Sequence, residues 1–136
     1  TQKIWESSLS AIGLLWAKRQ GRVCLKAYID DTYDKFWKRE LDIEDPKVIV
    51  TQLQTSGCDV EGFEDFLAGE GRDYHDSLQD EILDRGYYGV PTYVIDGESY
   101  FGRQHLPRVR WHLEGKAGAM PDIAYDVILR ESVPAK

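Results

Sequence analysis

The chain has 136 residues, 42% of them hydrophobic, and carries 24 acidic against 17 basic side chains for a net charge of −7. That length suits one domain of ordinary size with a real core, and the acidic balance argues against a nucleic-acid or anionic-membrane surface. No run is long enough for a membrane span and no basic-plus-apolar leader is present, so a cytoplasmic location is the expectation.

Ile4, Trp5, Ser8, Leu9, Ile12, Leu15 and Trp16 recur at helical spacing, which predicts an amphipathic helix over 3–20. Gly21 punctuates its end. Leu25, Tyr28, Ile29, Thr32, Tyr33, Phe36 and Trp37 repeat the period to about Lys38, and their aromatic stripe reads as a buried face. Asp45-Pro46 opens a third helix with proline at its first position. Val48, Ile49 and Leu53 form its core side and Gly57 closes it. Asp59 is a good N-cap for a fourth helix bearing Phe63, Phe66 and Leu67. Gly69 and Gly71 predict a break, after which Arg72 to Arg85 resumes with Tyr74, Leu78 and Ile82 at four-residue steps.

Gly89-Val90-Pro91 leads into a β-branched run, Thr92 to Asp96, and Asp96-Gly97 is the dipeptide of a type I′ hairpin turn. A second strand follows through Tyr100-Phe101. A last helix runs from about Gln104 to Glu114, with Leu106, Val109 and Leu113 inward and Pro107 in the first turn. Gly115 to Gly118 reads as a linker. Pro121 to Ser132 fits both a strand and a helix, and its β-branched content favours the strand.

Cys24 and Cys58 form no Cys-x-x-Cys. Two reduced, partly buried thiols are the expectation, with a disulfide left open until geometry is known. His75, His105 and His112 show no metal spacing, so no metal is expected. His75 and His112 read as surface or half-buried structural residues. Asp30 and Asp31 are adjacent and diverge on a helix, which disqualifies them as a catalytic pair. Ser7 and Ser8 lie within the first predicted helix and are not candidate nucleophiles.

The words Gly89-Val90-Pro91-Thr92, Asp96-Gly97-Glu98 and Tyr100-Phe101-Gly102-Arg103-Gln104-His105-Leu106 resemble the C-terminal half of DsbA-family thioredoxin-fold proteins. Phe36 to Pro46 resembles the join within that family's helical insertion. The branch it resembles is that of 2-hydroxychromene-2-carboxylate isomerases and kappa-class glutathione transferases. The resemblance covers about Trp5 to Leu113. It implies an α+β, mostly helical fold: a helical insertion at 1–86, a ββα unit at 87–115, and a linker and tail at 116–136.

The opening βαβ unit, where the family keeps its reactive Cys pair or Ser, has no counterpart here, so no catalytic residue is assigned. The resemblance implies a cis Pro91 and a Val90 backbone offering strand-like hydrogen bonds to a thiol peptide such as glutathione. Tyr88, Arg103 and Gln104 would border the same cleft, and Arg103 suits a carboxylate. Gln104 and His105 stand where glutathione-binding relatives carry a polar-acidic pair, which weakens glutathione as a ligand. The function implied is that of a partial glutathione-dependent isomerase or transferase, inactive as this chain alone. The alternative is a truncated, non-catalytic binding or assembly module. In either case an open strand edge must be covered, by the tail Ile123 to Leu129 folding back as a strand or by a second copy across a two-fold axis, and a homodimer is the favoured expectation.

Overall fold

The computed structural model describes residues 3–122. These fall into two compact units, one through Glu81 and one from Ile82. The elements are α1 (Ser8–Arg19), α2 (Arg22–Lys38), α3 (Pro46–Thr55), α4 (Phe63–Ala68), α5 (Glu70–Asp84), β1 (Thr92–Ile95), β2 (Glu98–Phe101), a 3₁₀ turn (Arg103–His105) and α6 (Leu106–Leu113). The fold is α+β and mostly helical, as the sequence predicts. The tail expected as a strand lies at 123–136, outside the described residues.

The helical unit is built on α1. Ile12, Ile49, Leu53 and Phe63 are fully buried and pack with Leu9, Leu15, Tyr28 and Phe66. Each such side chain contributes about 1.5–3 kcal/mol of hydrophobic stabilisation. The Tyr28 hydroxyl donates to the Ser10 carbonyl at 3.0 Å, and burial pushes its pKa up. Trp16 lies against the rings of Phe63 and Phe66, at centroid distances of 5.8 and 5.1 Å. Gln20 forms a two-way latch with the Asp59 backbone, donating to its carbonyl and accepting from its N–H, both at 2.7 Å.

Several boundaries differ from the sequence reading. The first helix starts at Ser8, not residue 3. The Glu6 carboxylate accepts the Ser8 N–H at 2.8 Å, and Glu6 gives its own N–H to Glu44 at 2.8 Å. Those bonds satisfy the chain before the helix without extending it, and Ile4, expected on the apolar face, is 98% exposed.

In α2, Tyr28 and Thr32 are buried, but Tyr33 and Trp37 point to solvent, so the aromatic stripe is buried only in part. Arg39 ends α2 in the left-handed region at φ 64°. Asp45 caps α3 by accepting the Lys47 N–H at 2.8 Å. Asp59 does not cap α4. Its carboxylate accepts from the Glu61 N–H two residues on, closing a local turn, and Gly62 at φ 79° takes the cap position. The expected break falls at Gly69. Gly71 then has no room for a Cβ, because the Phe66 backbone carbonyl would stand 2.7 Å away. In α5, Tyr74 and Ile82 are partly exposed, and Leu78 alone of the three packs on the core cluster.

Cys24 and Cys58 are joined by a disulfide, which corrects the expectation of reduced thiols. Helix packing brings their Cα atoms to 5.6 Å, within ordinary bridging range. Both residues are buried in the core cluster.

In the second unit β1 and β2 pair antiparallel, with Thr92 opposite Phe101 and Ile95 opposite Glu98. Asp96 at φ 53° and Gly97 at φ 83° supply the two positive-φ positions of the predicted turn. The final helix opens with the 3₁₀ turn. Of its three expected core residues only Val109 is buried, while Leu106 is 47% and Leu113 77% exposed. After α6 the chain doubles back: the Trp111 indole N–H reaches the Ala117 carbonyl at 3.1 Å, and Arg108 Nε the Pro121 carbonyl at 3.1 Å.

Candidate functional site

The candidate residues cluster where the loop before β1 meets the end of β2. The Val90–Pro91 bond is cis. The Pro91 carbonyl accepts the Gly102 N–H at 2.8 Å, which extends the hairpin ladder by one bond. The Thr92 hydroxyl donates to the Gly89 carbonyl at 2.5 Å and closes the loop from inside. Gly89 lets the Phe101 ring come close, since a Cβ would stand 2.5 Å from its Cε2 and the ring would have to shift. On the other side of that glycine the Tyr88 ring lies 5.3 Å from the Phe101 ring, centroid to centroid.

Tyr88 is 84% and Val90 91% exposed. Among the described residues nothing hydrogen-bonds to the Val90 backbone, so its N–H and C=O are open to an extended ligand. The Gln104 amide turns back to donate to the Phe101 carbonyl at 3.1 Å. Arg103 is exposed. Tyr88, Pro91 and Gln104 thus converge on Phe101–Gly102, and Val90 directly precedes Pro91 in the chain. Arg103 is next in sequence, and no contact joins it to Tyr88.

Residues 1–114 match the family model of the DSBA-like thioredoxin domain. The chain belongs to that family. No curated protein and no solved structure matches the chain. Among the described residues no thiol is free, since both cysteines are joined in the disulfide. No group of three His, Cys, Asp or Glu there could hold a metal ion. No described helix is long and apolar enough to cross a membrane.

Two features of this DSBA-like chain escape sequence reasoning. One is Phe101, the ring that props the proline loop. It is 43% exposed, and its partners, Gly89 and Tyr88, come from the loop before β1. The other is a polar cluster behind the hairpin. The Tyr100 hydroxyl donates to Glu98 Oε2 and lies 2.9 Å from His112 Nε2. The bond to Glu98, then burial, raise the tyrosine's pKa. The His112 side chain is 3% exposed, while the residue as a whole is half-buried, as the sequence predicts. The available signal was position: His112 follows Val109 by three residues and shares its helix face.

Proposed function

We propose that this chain supplies the thiol-binding half of a DSBA-like protein of the isomerase and transferase type, the type represented by 2-hydroxychromene-2-carboxylate isomerase and kappa-class glutathione transferase. The family match over residues 1–114 supports the DSBA-like part of this reading, and the resemblance of Gly89–Thr92 and Tyr100–Leu106 to that branch supports the rest. In this proposal the open Val90 backbone receives an extended small thiol, with Pro91 and Tyr88 as its walls and Arg103 as partner for a carboxylate. Glutathione is a weak ligand, because Gln104 has no charge to offer an ammonium group and its amide is already engaged with Phe101.

The chain alone is inactive in this reading. The described residues contain no free thiol, Ser7 is the N-cap residue of α1, and the buried Ser8 accepts a hydrogen bond from Arg72. A turnover assay for glutathione-dependent isomerisation and disulfide oxidation tests this. Background rates are expected, and activity abolished by substituting a residue of this chain overturns it.

One observation favours a second reading, a non-catalytic assembly module. Among the described residues the sheet has two strands, so β1 has one edge without a ladder. Such an edge is a template for another strand. A homodimer pairing through it distinguishes this reading, and sedimentation decides between dimer and monomer.

A further inference from the structure

We propose that His112 is a proton-operated clasp between the β-hairpin and α6. The protons around Tyr100 set the state of the histidine ring. Its hydroxyl carries one proton, given to Glu98 Oε2. The same oxygen lies 2.9 Å from His112 Nε2, which must therefore be the donor in that contact. A neutral imidazole with its proton on Nε2 leaves Nδ1 a bare acceptor. Nδ1 is buried and has no hydrogen-bond partner. It faces Asp96 Oδ2 at 3.8 Å, in the hairpin turn. Neutral His112 thus sets acceptor against carboxylate. A second proton, on Nδ1, converts that opposition into an ion pair and satisfies both ring nitrogens at once.

The other groups packed around the ring fit this assignment. Lys116 Nζ, after α6, holds Asp96 Oδ2 at 2.9 Å and is the main reason its carboxyl sits below the ordinary range. The turn therefore stays anionic whenever His112 changes charge. Glu98 on β2 adds a second carboxylate on the Nε2 side, through the tyrosine. Arg108 on α6 is the opposing cation in Tyr100's surroundings. His105 stacks on Tyr100 at 5.7 Å with its own Nδ1 buried and unpartnered, so it adds a ring without a competing anion. Asp96, Glu98 and Tyr100 come from the hairpin, and His112 comes from α6.

A contact made only with a proton on Nδ1 strengthens the unit while that proton is present and is lost when it leaves. The test uses the full chain, with imidazole nitrogens and hairpin amide exchange followed by NMR between about pH 8 and pH 5. At the acid end His112 is expected to carry protons on both nitrogens. Protection of the Glu98–Phe101 amides is expected to rise about 1.4- to fivefold, the range for a pair with one exposed partner. His112→Gln keeps a donor for the tyrosine oxygen but cannot charge, and its protection should be flat with pH. His105→Gln should keep the wild-type response. An unprotonated Nδ1 at pH 5, or a full response in His112→Gln, overturns the proposal. If that variant does not fold, Asp96→Asn decides, since asparagine suits the same turn: a lost response supports the clasp and an undiminished one overturns it.

Discussion

Gly13 sits in the middle of α1, where glycine is ordinarily a poor helix former. A Cβ there would lie 2.9 Å from Ile49 Cγ2 and 3.0 Å from Tyr28 Cζ. The glycine lets α2 and α3 approach α1 more closely than a side chain would permit. Gly13→Ala gains helix propensity but overpacks the core, and a net loss of about 1–3 kcal/mol is expected in urea denaturation. The disulfide is the second residue-scale determinant. Replacing both Cys24 and Cys58 by serine should cost about 2–4 kcal/mol, chiefly by freeing the unfolded chain, and thermal melting would show it. Neither determinant was legible from spacing. The glycine's neighbours come from other helices, and the sequence separation of the cysteines says nothing of the distance between them.

At the scale of elements, α2 and α3 are joined through Gln52, which is 2% exposed and needs partners at both ends of its amide. Its Nε2 donates to Asp31 Oδ2, and its Oε1 accepts from Lys35 Nζ at 3.2 Å. Lys35 and then Gln52 lower the Asp31 pKa by bonding to its carboxylate. A depressed carboxylate stabilises the fold above its unfolded value, about 3.9, and the contribution is lost as pH falls through the folded value. Asp31→Asn should therefore flatten the acid limb of a stability-against-pH curve while leaving the neutral limb's slope unchanged. Denaturant midpoints at a series of pH values would check it. The sequence reading found α2 and α3 because their apolar periods and the Asp45-Pro46 start are local signals. It misplaced the start of α1 and the cap of α4 because those are settled by side chains reaching the backbone, Glu6 to Ser8 and Asp59 to Glu61. In α6 the period was right but the burial wrong, since a two-stranded hairpin covers little of one helix.

For the whole molecule, the hairpin words carried the most information. Type I′ geometry, strand register and the proline loop all follow from residues within 89–102, so this part of the candidate site could be read in advance. The polar cluster behind it could not, because His112 meets Tyr100 only once α6 is laid against the hairpin. The edge of β1 that has no ladder among the described residues bears on assembly. A stable dimer should sediment at twice the chain's 15.6 kDa, and a Val94→Lys change on that strand should shift it toward monomer. Calorimetry with glutathione should show weak or no heat, and micromolar affinity would mean that another group replaces the missing charge at Gln104.

The bond between Cys24 and Cys58 also makes the chain a ring with two tails. The ring spans 34 residues and includes the last four turns of α2 and the whole of α3. Pulled by its ends, the oxidised molecule cannot release that length. Its fully stretched contour should fall short of the reduced chain's by about 110–120 Å. A pore or an unfolding motor that threads one strand at a time would meet a doubled chain at this point, and would pass it only after reduction.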